Sequence, residues 1–110
     1  MTRVKFCGLR HKDDVADAVA LGVDALGFVF YEPSSRYVAP EDAAILTCAV
    51  PAFLTRVGLF VNENAETIKR IFEIARLNLI QYHGEESPEF CDSVGLPYIK
   101  AFRVQQDMDI

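Results

Sequence analysis

Cysteine is scarce and solitary in this chain: Cys7, Cys48 and Cys91 are the only three, and none stands near another. No C-x-x-C pair occurs and no His-x3-5-His follows, which excludes the usual spacing of a zinc site. The odd, scattered thiols also lack the pattern of a disulfide framework. With no secretory leader at the start, reduced thiols in a cytoplasm are expected. Basic charge is short as well, with 11 Lys and Arg against 16 Asp and Glu and a net charge of −5. A binder of nucleic-acid backbone needs a basic face, so no nucleic-acid partner is expected. No apolar run reaches the roughly 18–20 residues that span a bilayer, so a soluble chain with no membrane partner is expected. Neither G-x-G-x-x-G nor a P-loop occurs, which leaves nucleotide binding without support. Linkers, low-complexity stretches and charge runs are missing too, and residues 1–110 read as a single domain.

What is present alternates. Val4 to Cys7 is a short β-favouring run broken by Gly8, and helical spacing follows from His11 to Leu21, with Val15, Ala16, Val19 and Ala20 apolar and Gly22 beyond the end. Ala25 to Tyr31 is nearly continuous apolar sequence, as in a strand covered on both faces. Pro40 with Glu41 and Asp42 opens a second helix to Val50, and Arg56 to Val61 is a third strand. Asn64 caps a helix carrying Ile68, Ile71, Phe72 and Ala75 on one face. Leu79 to Tyr82 forms a fourth strand, Ser87 caps a helix with Phe90, Cys91 and Val94, and Tyr98 to Val104 forms a fifth strand. Gln105 to Ile110 reads as a loop or the start of a helix.

Strict β-α alternation implies parallel strands joined by right-handed crossovers. Two closures remain: an open doubly wound sheet, or part of a barrel. A (β/α)8 barrel needs roughly 200 residues or more, so length favours the open sheet. Either way the strand tips face the ligand crevice. There the sequence brings a thiol (Cys7), a guanidinium (Arg36, in the Pro-Ser-Ser loop after the second strand) and an imidazole (His83) to one rim.

Six segments then carry a resemblance: Lys5-Phe6-Cys7-Gly8-Leu9, Ala25 to Phe30, Ser34-Ser35-Arg36-Tyr37-Val38, Val57 to Asn62, Gln81-Tyr82-His83-Gly84-Glu85-Glu86 and Ile99-Lys100-Ala101-Phe102. In this order and spacing they resemble phosphoribosylanthranilate isomerase of tryptophan biosynthesis, across essentially the whole chain. The resemblance implies an α/β fold, a parallel (β/α)8 TIM barrel, of which this chain would be a partial barrel of five strands and four helices. It implies an aldose–ketose isomerase performing the Amadori rearrangement of N-(5′-phosphoribosyl)anthranilate, with no metal or organic cofactor. Cys7 matches the family's general base. A thiolate serves in that role when neighbouring cations draw its pKa from about 8.5 towards neutrality, and Lys5 and Arg36 are the candidates. Arg36 matches the residue that holds the anthranilate carboxylate. Gln81 and His83 match a site-lining segment. The family's general acid on the sixth strand and its phosphate loops after the seventh and eighth would lie beyond Ile110. Asp107 and Asp109 come too early to be that acid. Arg10-His11-Lys12 stands where the family has a threonine-containing turn capping the first helix, and Tyr82 where an aliphatic residue is usual.

The same residues have plainer readings. Cys7 is equally a small buried hydrophobe, Arg36 a solvated loop charge, His83 a strand-end histidine bonded to backbone, and Lys5 the solvated start of a strand. Cys48 and Cys91 read as buried on apolar helix faces, Phe28, Phe30, Phe60 and Phe102 as core, Asn62 as the start of a turn, and Gly8, Gly58 and Gly84 as backbone punctuation. A flavodoxin-like doubly wound binding module is the alternative function, disfavoured because Cys7 and Asn62 stand where a phosphoacceptor version wants acids. A non-catalytic half-barrel that oligomerises is another. A sheet stopping at strand five would leave two open edges and an exposed apolar concavity, each large side chain left in water costing about 1.5–3 kcal/mol. Self-association through those edges is therefore expected.

Overall fold

A computed structural model describes residues 5–100, the side chain of Phe6 excepted. The continuation of the fifth strand to Val104, Phe102, Asp107, Asp109 and the segment Gln105–Ile110 lie outside the described residues. Five strands alternate with four helices: β1 (Lys5–Cys7), α1 (Lys12–Ala20), β2 (Ala25–Val29), α2 (Pro40–Thr47), β3 (Thr55–Phe60), α3 (Ala65–Ile74), β4 (Leu79–Tyr82), α4 (Pro88–Val94) and β5 (Tyr98–Lys100). All neighbouring strands pair in parallel.

The strands lie in chain order, β1-β2-β3-β4-β5. That order decides between the two closures. A doubly wound sheet reverses direction once and so places helices on both faces. Consecutive right-handed crossovers without reversal place every helix on the same face. The core has this one-sided character. Leu26, Phe28, Phe60, Ile80 and Tyr82 pack with Val15 and Ala18 of α1, Ala43 and Leu46 of α2, Ile68 and Ile71 of α3, and Cys91 and Val94 of α4. The flavodoxin-like alternative fails on this arrangement.

The opposite face is concave. In a flat sheet β1 and β4, three strand spacings apart, would lie about 14 Å from each other. Here the Lys5 ammonium donates to the Gln81 side-chain carbonyl across that face, which requires the sheet to curl as a barrel wall does. The expected exposed concavity is smaller than the sequence suggests. Val29, Val57 and Leu59 point inward in register with Gln81 and Cys7, yet are buried. Curling draws them together, and among the described inward residues only Ile99 of the edge strand is a large exposed hydrophobe, at 46%.

Local signals behave as their chemistry dictates. Asn64 Oδ1 accepts from Thr67 N–H at 2.8 Å and Ser87 Oγ from Phe90 N–H at 3.1 Å. His11 occupies the cap position of α1 with no side-chain cap hydrogen bond, as the loss of a threonine there leads one to expect. Ala18, rather than Ala16 or Ala20, joins Val15 in the core. Cys91 is buried, but Cys48 caps the end of α2 and is exposed. Helical periodicity stops one residue before it, so the apolar face does not include it. Gly58 is not punctuation but mid-strand space: a Cβ there would meet Leu77 Cδ1 at 2.4 Å and the Phe30 and Phe60 rings at 3.2 and 3.1 Å. Those two rings stack at 5.5 Å. Phe28, Phe30 and Phe60 thus belong to the core, on the helix side of the sheet.

Candidate active site

The β1 tip is shaped by two glycines. Cys7 pairs with Gly27, and a Cβ on Gly27 would come within 3.0 Å of Cys7 Sγ. The half-buried thiol therefore lies across bare backbone on its neighbouring strand. Gly8 then turns the chain out of the sheet at φ +85, its N–H donating to Gly27 C=O at 3.0 Å. A Cβ on Gly8 would sit 2.5 Å from Arg36 Cδ and 3.2 Å from Cγ. The stem of Arg36 thus runs over Gly8, the residue next to Cys7.

Arg36 is exposed but not adrift. Ser34 N–H donates to Tyr31 C=O at 2.9 Å, Arg36 N–H to Ser34 Oγ at 3.0 Å, and Tyr37 N–H to Ser34 C=O at 3.2 Å. The chain then returns to the sheet, where Val38 N–H donates to Val29 C=O and Tyr37 bridges Val29. A polar loop wound on its own hydrogen bonds is a rigid mount for a guanidinium.

Lys5 and Gln81 meet on the concave face. The Lys5 ammonium is thereby engaged by Gln81. His83 stands at the β4 tip, buried, with its backbone N–H donating to Phe60 C=O at 2.9 Å.

The rim over β3, β4 and β5 holds residues that the sequence reading missed. The Glu86 side chain is only 3% exposed. Its carboxylate accepts from Asn62 N–H at 2.7 Å, Gly84 N–H at 2.9 Å and Lys100 Nζ at 2.9 Å. Lys100 also donates to Gly84 C=O, and Asn62 Oδ1 accepts from Glu85 N–H at 2.9 Å. Asn62 thus begins a turn, at φ +50, and closes the rim as well. Burial alone would push the Glu86 carboxyl up, but the Lys100 hydrogen bond, backbone N–H groups and the Lys100 charge hold it below its ordinary value. Two adjacent glutamates read alike in a sequence, and only packing decides that Glu86 turns in while Glu85 stays exposed.

Beside this rim, a cleft of about 440 Å³ lies between the β2 loop and α3, lined by Tyr31, Glu32, Tyr37, Glu63 and Arg70 among others. Burial and then Glu32, Glu41 and Asp42 push the Tyr37 phenol up. The cleft does not include Cys7 or Arg36. Among the described residues no three His, Cys, Asp or Glu side chains could hold a metal ion, and no helix is long and apolar enough to cross a membrane.

The chain is similar to proteins of one kind. It is 47% identical over 109 residues to the N-(5′-phosphoribosyl)anthranilate isomerase of Dechloromonas aromatica (strain RCB), covering 99% of this chain and 52% of that protein. The phosphoribosyl anthranilate isomerase structure from Thermus thermophilus superposes with a TM-score of 0.91 at 44% identity, over 94% of this chain and 53% of that one. A phosphoribosyl anthranilate isomerase in complex with reduced 1-(o-carboxyphenylamino)-1-deoxyribulose 5-phosphate superposes with a TM-score of 0.89, also at 44% identity, over 91% and 53%. The chain spans about half the length of the relatives it matches. Its sheet, helices and strand order are therefore a partial TIM barrel. The family model for N-(5′-phosphoribosyl)anthranilate isomerase matches residues 4–110, and the chain belongs to that family.

Proposed function

We propose that this chain is the substrate-activating half of a phosphoribosylanthranilate isomerase, an intramolecular oxidoreductase of tryptophan biosynthesis acting in the cytoplasm. The substrate is N-(5′-phosphoribosyl)anthranilate and the product 1-(2-carboxyphenylamino)-1-deoxyribulose 5-phosphate. Residues 1–110 act as one domain, the N-terminal portion of a (β/α)8 barrel. A general acid assists opening of the ribose ring to a Schiff base. The Cys7 thiolate removes the C2′ proton, and the resulting enolamine tautomerises to the aminoketose. Arg36 holds the anthranilate carboxylate through a bidentate guanidinium, and Gln81, His83 and Lys5 line the substrate. The chemistry needs no metal or organic cofactor. The acid and the phosphate loops belong to the part of the family's barrel after β5, so turnover by this half alone is not expected. Exposed Ile99 on the edge strand supports self-association of the isolated half.

The observation that carries this reading is the packing of the Arg36 stem over Gly8, next to Cys7. It seats the stem of a residue suited to binding a carboxylate on the neighbour of a candidate base, which suits a substrate whose reacting carbon lies next to an anthranilate. The test is a chimera in which residues 1–110 replace the matching half of the Dechloromonas aromatica relative. The chimera should turn over the phosphoribosyl substrate, and Cys7→Ala should lower kcat by about a hundredfold to ten-thousandfold, the range for a general base. Arg36→Ala should act mainly on KM. Turnover that survives Cys7→Ala would overturn the assignment.

A further inference from the structure

Glu86 takes no part in the chemistry just described, yet it is the most heavily engaged side chain of the rim. One buried carboxylate bonds the residue after β3 (Asn62), the residue after His83 (Gly84) and the end of β5 (Lys100). Both carboxylate oxygens are occupied, with Oε1 accepting from Gly84 and Lys100 and Oε2 from Asn62. Three of a carboxylate's roughly four acceptor positions are therefore taken. Its position relative to the candidate site is informative. Gly84 directly follows His83, and Gln81, His83 and Gly84 lie on one short segment leaving β4. A Cβ on Gly84 would meet Asn62 Oδ1 at 2.6 Å and Asn62 N at 3.0 Å, so the β3 and β4 tips are already in backbone contact. The carboxylate bonded to both residues holds the segment against Asn62.

We propose that Glu86 is a positioning residue: it sets the conformation of the β4 tip and thereby the placement of the His83 imidazole towards substrate. The proposal rests on the reading in which Gln81 and His83 line that substrate. Charge is required as well as shape. A carboxylate accepts from two backbone N–H groups and an ammonium at once. A neutral amide must present a donor to at least one of these donors, which leaves the half-buried Lys100 without its counter-charge.

The test uses the chimera of residues 1–110 with the matching second half of the Dechloromonas aromatica relative, labelled on histidine for NMR. Residues 1–110 contribute two histidines, His11 and His83, assigned by substitution, so the imidazole of the exposed α1 cap serves as internal control. In Glu86→Gln the His83 ring resonances should move while those of His11 stay. Affinity for reduced 1-(o-carboxyphenylamino)-1-deoxyribulose 5-phosphate should fall about tenfold, equivalent to about 1.4 kcal/mol. Glu86→Asp keeps the charge one methylene further back; it should recover part of the affinity, and the same criteria apply to it if the glutamine variant does not fold. Unmoved His83 resonances with unchanged affinity, alongside a lowered melting temperature, would overturn the proposal and leave Glu86 as a staple only. Failure of the unsubstituted chimera to bind the probe counts against the isomerase reading instead, while movement of His83 in the variant still supports positioning by Glu86.

Discussion

Arg36 lies with its methylene stem over the α-carbon of Gly8, so close that a Cβ at position 8 would stand 2.5 Å from Arg36 Cδ. A side chain from the β2 loop is thus seated on the one residue of the β1 turn that offers no obstruction. Gly8 is also at φ +85, where an L side chain is strained. Gly8→Ala should therefore cost about 1–3 kcal/mol of stability and displace the guanidinium. Urea unfolding reads the first effect, and binding of the reduced aminoketose phosphate by the chimera with the Dechloromonas aromatica half reads the second. Unchanged values of both would refute this packing.

Gly58→Ala tests the core on the other face. The added methyl would meet Leu77 Cδ1 at 2.4 Å, with the Phe30 and Phe60 rings close behind. Overpacking of this kind costs about 1–3 kcal/mol. Leu77→Ala opens a cavity by itself, but in combination with Gly58→Ala the losses should add to less than their sum. Additive losses in denaturant titrations would mean that the two sites do not touch.

Tyr82 supplies a pH dependence at the alkaline end. Its hydroxyl is buried with no hydrogen-bond partner among the described residues. Burial, then Cys91, Glu86 and Tyr98, push the phenol up to about 12 from 10.0. A folded value above the unfolded one favours the neutral form in the fold. That contribution is fully present below pH 10 and is lost as pH rises towards 12. Tyr82→Phe keeps the edge-on ring contacts with Phe90 and Tyr98, removes the unpaired hydroxyl and should change stability at neutral pH by no more than about +1 kcal/mol. It should also flatten the loss above pH 10. A variant that melts with the same alkaline slope as the parent contradicts this.

Glu86 acts at the opposite end of the scale. Its carboxyl is held below its ordinary 4.5, so its contribution is present above that value and is lost as pH falls through the lower folded value. Thermal melts at decreasing pH should show a shallower acid decline in Glu86→Gln than in the parent chain. An identical decline would show that other carboxylates govern acid unfolding.

His11 leaves α1 without a side-chain cap. A serine hydroxyl there accepts from an otherwise unsatisfied N–H of the first turn, so His11→Ser should raise stability by about 1 kcal/mol. A rise in melting temperature of a few degrees is the expected result, and a fall would mean that the imidazole has a partner worth more than a cap.

Features that depend on contacts a few residues apart were legible in advance. Asn64 and Ser87 cap their helices because a short polar side chain reaches an N–H three positions on, whatever surrounds it. The β-α alternation follows from apolar period, and the placing of Cys7, Arg36 and His83 at strand tips follows from alternation. Cys48 escaped because it lies one residue past a helix end, where periodicity carries no information. Glu86 and Lys100 escaped because a charged pair at sequence separation 14 looks like two solvated charges until the loop between them is folded.

The amino-acid order by itself determined the elements, their parallel sense, their caps and the presence of a thiol and a guanidinium at neighbouring tips. All of these rest on backbone preferences and on periods of two or 3.6 residues. Tertiary structure alone decided the strand order, which placed all four helices on one face and excluded the doubly wound sheet. It also decided the curl that joins Lys5 to Gln81, the seat of Arg36 on Gly8 and the inward turn of Glu86. Each of these depends on the distance between residues far apart in sequence, and that distance exists only once the strands have been laid side by side and bent.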